Sequence, residues 1–211
     1  MPTKSNLSII IPAYNEAARI GPVVRLALQY ADEVIVVDDG SADETATMAR
    51  AAGAQVIRQD NAGYIAAVKR GFQEASGEVV VTMDADGEHR AEDIPRLVRP
   101  ILDGEADLVL GRRAEIVRLS ERFLNWLTNL RVKVNDSGTG FRALRRELAL
   151  KLELEGRCIC GISVLEPAAL GARIAEVPIE LTRVDKSRRI AWFHVPQVWH
   201  VLRWLLRGQT G

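Results

Sequence analysis

Short, mostly apolar runs punctuate the first half of the chain, and stretches with apolar residues three and four apart separate them. Leu7–Ile11 is such a run, ending at Pro12, and Val34–Val37, Gln55–Arg58, Val79–Met83 and Asp107–Leu110 follow it. Runs this short with no polar alternation fit parallel strands buried on both faces. Between them, Ile20, Val23, Val24, Ala27 and Tyr30 fall at helical spacing, as do Ile65, Val68, Phe72 and Ala75 before Gly77. Ser41-Ala42-Asp43-Glu44 reads as a capping box opening a helix to about Ala52, which Gly53 ends. A further helix is predicted from Glu92 to Asp103, with Ile94, Leu97, Val98 and Ile101 on one face. Strands alternating with helices in this way predict a mostly parallel sheet covered on both sides.

Beyond residue 111 the rhythm changes. Leu119, Phe123, Trp126, Leu127 and Leu130 predict an amphipathic helix; the turn-like Asp136-Ser137-Gly138-Thr139-Gly140 and mixed segments to Thr182 come next. Val195, Val198, Trp199, Leu202, Leu205 and Leu206 recur at helical spacing near the end, where Trp192, Trp199 and Trp204 gather three of the 4 tryptophans. Between residues 183 and 207 the basic residues Arg183, Lys186, Arg188, Arg189, Arg203 and Arg207 face a single acid, Asp185.

Composition narrows the classes. The 211 residues are 47% apolar and 27% charged, ordinary for a globular chain. Lys plus Arg equals Asp plus Glu at 28 each, so net charge offers no reason to expect nucleic-acid binding. Cys158 and Cys160 form a C-x-C, which is neither a zinc nor a disulfide framework, and suggests a reducing compartment. No signal-peptide pattern opens the chain, and no stretch reaches the roughly 18 to 20 apolar residues of a membrane span. The expectation is a cytoplasmic protein, with attachment to the membrane surface open.

In open α/β sheets, ligands bind beyond the carboxyl ends of the strands. Three polar clusters stand directly after predicted strands: Pro12-Ala13-Tyr14-Asn15-Glu16, Asp38-Asp39-Gly40-Ser41 and Asp84-Ala85-Asp86-Gly87. Together they would line one crevice with carboxylates. Asp84 and Asp86, spaced i, i+2, can converge on a hard divalent cation, with phosphate oxygens and water completing its shell. Such an ion would neutralise a diphosphate leaving group. The alternative is that Asp86 caps the helix near Glu92 while Asp84 is solvated.

These clusters carry a resemblance. With Asp43, Thr45, Asn61, Gly63-Tyr64, Glu88-His89, Gly111-Arg112-Arg113, the 136–142 segment and Ala175–Ile179, they run in order across about residues 6–190. In this the chain resembles family 2 glycosyltransferases of the GT-A fold, nearest the dolichol-phosphate mannose and other polyprenyl-phosphate glycosyl synthases. The resemblance implies a three-layer α/β/α fold with a mixed, mostly parallel sheet. It implies a catalytic domain over 1–190, with a nucleotide-sugar half at 1–111 and an acceptor half at 112–190, followed by a C-terminal amphipathic helix at 191–211. Pro12, Ala13, Tyr14, Glu16, Asp39, Asp84, Ala85 and Asp86 would line the nucleotide-sugar pocket. Asp84, Asp86 and Glu88 would hold Mg²⁺ or Mn²⁺. Arg113 or Arg118 would meet phosphates unless they are solvated helix residues, and Arg183 and Arg188 would meet the acceptor phosphate. Ser187-Arg188-Arg189 departs from the usual serine-lysine, and Ile65 stands where relatives often carry glycine.

The implied reaction is inverting transfer from a GDP- or UDP-sugar to a polyprenyl phosphate. That acceptor arrives ionised and needs no base. A hydroxyl acceptor would need one, and Asp136 is the candidate; it can equally be a turn-initiating aspartate. The last helix, with Trp and Arg side by side, suits a membrane surface, or else packs on the domain or a second copy. A non-catalytic nucleotide-sugar-binding module is the rival of another class. Pyrophosphorylase and dehydrogenase readings fail because Pro12–Glu16 contains no glycine for a phosphate loop.

Overall fold

A computed structural model describes residues 6–116, 118–156, 158–182 and 194–207. Seven strands form one sheet: β1 (Leu7–Ala13), β2 (Glu33–Asp38), β3 (Gln55–Arg58), β4 (Val79–Thr82), β5 (Leu108–Arg112), β6 (Arg142–Arg145) and β7 (Ile174–Pro178). Their spatial order is β3-β2-β1-β4-β6-β5-β7, and only β6 runs antiparallel to its neighbours. The apolar runs have no alternation because both faces are covered. Ile9 and Ile11 enter one core with Ile20, Ala49, Leu97 and Ile101, while Ile10 enters the other with Val68, Phe72, Leu148 and Ile162. A period of two thus serves both layers at once.

Helices α1 (Ala17–Ala27), α2 (Thr45–Ala51) and α4 (Ile94–Leu102) supply the first layer, and α3 (Tyr64–Glu74), α6 (Arg146–Ala149) and α7 (Ile162–Ala169) the second. The capping-box expectation is corrected. Helix α2 begins at Thr45 with no side-chain cap from Ser41, whose hydroxyl instead accepts the Asn15 N–H at 2.9 Å. Gly53 does end that helix, at φ +102°, a conformation glycine adopts without strain.

The path after β5 decides the site. The chain leaves through α5 (Leu119–Thr128), then returns as β6 between β4 and β5, pairing Arg142 with Thr82 and with Leu110. Because β6 runs against the others, its amino end lies where theirs have carboxyl ends. The 136–141 turn is therefore delivered beside the loop that follows β4. Helix α8 (His194–Arg207) buries Gln197 and Val201, the latter with Leu124 and Leu127 of α5 and Leu165 of α7. Among the described residues no helix is long and apolar enough to cross a membrane.

Candidate active site

The first two strand-end clusters are sewn together. Past β1, Asn15 takes φ +55°, and its Oδ1 accepts the Ala42 N–H at 2.9 Å while its own N–H goes to Ser41. The Glu16 N–H donates to Thr45 Oγ1 at 2.8 Å and the Ala17 N–H to Asp43 Oδ2 at 3.1 Å. Pro12 and Ala13 are buried at the strand end, Tyr14 is half-exposed above them, and Glu16 pairs with Arg19 at 3.2 Å.

Asp39 is turned inward. Its Oδ1 accepts Gln59 Nε2 at 2.7 Å and the Ala62 N–H at 2.9 Å, and its Oδ2 the Gly63 N–H at 2.8 Å. Three of a carboxylate's roughly four acceptor positions are thereby filled. Asp39 thereby shapes the 59–63 loop. Gly40 permits the approach, since a Cβ there would lie 2.9 Å from the Asn61 nitrogen.

The loop after β4 is held from three sides. Tyr64, at the start of α3, donates its hydroxyl to Asp84 Oδ1 at 3.2 Å. The Asp84 N–H donates to His89 Nδ1 at 3.0 Å, which leaves the ring proton on Nε2, 3.7 Å from Asp84 Oδ2. The His89 ring stacks on Phe141 with centroids 4.9 Å apart. From the turn before β6, Gly140 packs so close that a Cβ would sit 2.7 Å from both Asp84 oxygens, and Thr82 Oγ1 donates to the Gly140 carbonyl at 2.7 Å. Asp86 and Ala85 are buried below, and Asp86 Oδ1 accepts the Glu88 N–H at 2.9 Å. The alternative, Asp86 as cap of the helix near Glu92, is not what forms: that helix starts through a 3₁₀ turn at Ala91–Asp93 with no side-chain cap.

Asp84 and Asp86 offer the hard oxygen donors that Mg²⁺ or Mn²⁺ takes, and Asp84 is about a third exposed to the crevice. Among the described residues no three His, Cys, Asp or Glu side chains gather to hold a cation unaided, so Asp84, Asp86 and Glu88 are not a ready-made cage. Two carboxylates leave coordination positions for diphosphate oxygens and water.

Across the crevice the arginines are occupied. Arg113 donates Nε and Nη2 to the two oxygens of Asp136 at 2.7 and 2.8 Å, and Nη2 also to Glu121 at 3.0 Å. Arg118 approaches the same Glu121 at 3.5 Å. Asp136 is wholly buried and accepts the Arg113 and Gly138 N–H groups as well. Burial alone would raise its carboxyl, but the Arg113 contacts outweigh that and hold it below the ordinary carboxylate value. In this arrangement Asp136 is buried and paired with Arg113. Arg183 and Arg188 lie outside the described residues.

One arginine escaped the sequence reading as a chemical group. Arg142 is 4% exposed, and Nη2 donates to the Ser137 carbonyl at 3.1 Å while its buried Nε finds no partner. It lines an interior cavity with Tyr64, Thr82, Ser163 and apolar side chains. Burial lowers its proton affinity and lifts that of Tyr64, which the Asp84 charge lifts further. It opens a four-residue strand that a second arginine, Arg145, closes, so nothing in the sequence sets it apart.

Residues 8–154 match the family described as glycosyl transferase family 2. The chain belongs to that family. An uncharacterized glycosyltransferase of Mycobacterium tuberculosis is 34% identical to it, over 93% of this chain and 97% of the relative. A dolichyl-phosphate hexose transferase of Haloferax volcanii is 35% identical over 84% and 83%. Among solved structures, glucosyl-3-phosphoglycerate synthase from M. tuberculosis, in complex with Mn²⁺, UDP-glucose and phosphoglyceric acid, superposes with a TM-score of 0.79 at 26% identity, covering 95% of this chain and 79% of that one. This family 2 glycosyltransferase therefore has the GT-A fold of its relatives.

Proposed function

We propose that the enzyme moves a sugar, with inversion, from a nucleotide diphosphate sugar to a polyprenyl phosphate. The observation that carries the acceptor is the state of Asp136. The carboxylate best placed to deprotonate a hydroxyl is buried in a bidentate pair with Arg113. A phosphate acceptor needs no such base, because its oxygen is already ionised near neutral pH. Catalysis then rests on positioning and on stabilising the departing diphosphate. The dolichyl-phosphate transferase among the relatives supports this acceptor class.

Asp84 and Asp86 would hold Mg²⁺ or Mn²⁺, which supplies charge neutralisation at the diphosphate; the Mn²⁺ and UDP-glucose of the neighbouring structure support that pairing. The chain's own residues do the aiming. Tyr64 and His89 fix the Asp84 turn, Gly140 lets the acceptor segment close on it, and Pro12, Ala13 and Tyr14 with the Asp39-shaped loop wall the nucleoside. We place the protein at the cytoplasmic face of the membrane, where such donors and a lipid phosphate meet.

A second reading, transfer to the hydroxyl of a small phosphorylated acid, is favoured by the phosphoglycerate-bound neighbour. One experiment separates them. Labelled GDP- and UDP-sugars are offered with Mg²⁺ or Mn²⁺ to a polyprenyl phosphate and, separately, to 3-phosphoglycerate. Label entering the organic phase, and lost on chelation, is the expected result. Label retained only on phosphoglycerate would replace the acceptor assignment, and donor binding without turnover on any acceptor would favour a binding module.

A further inference from the structure

Helix α5 is apolar on two sides. Leu124 and Leu127 are buried with Val201 and Leu165, yet Leu119, Phe123 and Trp126, with Leu130 in the turn just past the helix, are 78, 48, 58 and 59% exposed. Their spacing of four, three and four residues makes a single outward stripe. Phe123 and Trp126 stack within it, ring centroids 5.8 Å apart. Helix α8 repeats the arrangement: Gln197 and Val201 face inward, and Trp199, Leu202 and Leu206 face outward. Arg131, next to Leu130, donates to the Leu205 carbonyl at 2.9 Å, which brings the carboxyl ends of the two helices together. Exposed apolar stripes of this kind mark a contact site.

The charges say what kind of contact. Arg122, Arg131, Lys133 and Arg203 are exposed beside the stripes, and neither 122–135 nor 194–207 contains an aspartate or glutamate. Of the adjoining acids, Glu121 is turned in on Arg113 and Arg118, and Glu155 lies 4.0 Å from Arg203, which leaves Arg122, Arg131 and Lys133 as the rest of the basic flank. Aromatic rings flanked by basic residues match the boundary between acyl chains and anionic headgroups, where the ring bodies insert and the cations stay at the phosphates. A second copy of the chain would bring the same positive charges against each other.

We propose that the outward faces of α5 and α8 form one docking surface for an anionic lipid bilayer. The proposal deepens the reading of a lipid-phosphate acceptor and rests on it for its purpose. The same α5 holds the acceptor turn: Asn125 accepts the Ser137 N–H at 2.9 Å and donates to the Asn135 carbonyl at 3.0 Å. One helix therefore carries the lipid-facing rings on one side and the acceptor turn on another, so a lipid-borne phosphate could reach the turn without leaving the interface.

The test is sedimentation with vesicles of phosphatidylcholine alone or mixed with phosphatidylglycerol, with no polyprenyl phosphate present. The chain should bind the anionic vesicles, more weakly as salt rises, and little to phosphatidylcholine. Phe123→Glu with Trp126→Glu should weaken binding by at least about tenfold, whereas Leu170→Glu, at an exposed leucine beyond α7, should not. Should the glutamate pair unfold, Phe123→Gln with Trp126→Gln keeps the comparison. Equal binding by the α5 variants, or none by the unaltered chain, overturns the proposal. So does a soluble dimer, seen by light scattering, that the same substitutions dissolve. Vesicle binding with transfer only to phosphoglycerate would leave the surface standing and remove the acceptor reading; transfer to polyprenyl phosphate in detergent without vesicle binding would do the reverse.

Discussion

On the β1–β2 side of the crevice, short polar side chains accept backbone N–H groups: Asn15 from Ala42, Ser41 from Asn15, Thr45 from Glu16 and Asp43 from Ala17. Across β4, the 113–142 side is held by guanidinium and carboxylate, with Arg113 on Asp136 and Glu121 and a buried Arg142 on the Ser137 carbonyl. The bonds accepted by Asn15, Ser41 and Thr45 are neutral on both sides, so each contributes about 1 kcal/mol and can be lost singly. A buried ion pair behaves otherwise: the two charges have given up water, and removing one strands the other. The β1–β2 side, the donor side under the proposed function, is therefore largely a set of small increments, and the 113–142 side, its acceptor side, stands or falls together.

The largest effect should come where the two sides meet. Asp86→Ala is expected to lower transfer by about a thousandfold, the loss of several kcal/mol of charge stabilisation at the diphosphate. Turnover across a range of Mg²⁺ and Mn²⁺, with Mn²⁺ binding followed by calorimetry, measures it; unchanged turnover would remove Asp86 from the metal site.

Next in size is the contrast in stability. Arg113→Ala should cost about 3–5 kcal/mol in denaturant unfolding because Asp136 is left charged and buried, whereas Asn15→Ala should cost about 1 kcal/mol. The acid limb sharpens this. Asp136 has a folded pKa below its unfolded one, so its pairing stabilises above the unfolded carboxyl pKa and is lost as pH falls through the depressed value. Unaltered protein should lose stability steeply below about pH 4, and Arg113→Ala less so. Similar costs for the two substitutions would erase the distinction between the sides.

The smallest is Gly140→Ala. The new Cβ would meet both Asp84 oxygens at 2.7 Å, displacing that carboxylate and little else. The metal concentration for half-maximal activity should rise by about tenfold, with the unfolding midpoint nearly unchanged. An unaltered metal requirement would mean that Asp84 does not take part.

The donor side was legible because its pieces are local. Strands β1 to β4 follow from apolar runs a few residues long, and each acidic cluster stands next to its strand in the chain. Even there, partners were misread: Ser41 looked like a cap for its own helix and instead serves Asn15, 26 residues away. The acceptor side was legible as motifs but not as an arrangement. Asp136 and Arg113 were both noted, one as a base and one as a phosphate ligand, and nothing in their spacing revealed that they neutralise each other 23 residues apart. Arg142 passed unremarked as chemistry because β6 is only four residues long and carries no period that marks its direction.

Read alone, the chain specified its layers, its family and the carboxylates of the crevice, since hydrophobic period and strand-end position depend on neighbours in sequence. The tertiary structure decided the rest: that β6 enters backwards between β4 and β5, that Asp136 spends its charge on Arg113, and that α5 shows apolar residues to solvent as well as to the core. Those outcomes depend on which distant groups burial brings within about 3 Å, where desolvation makes a charge seek whatever partner the fold supplies.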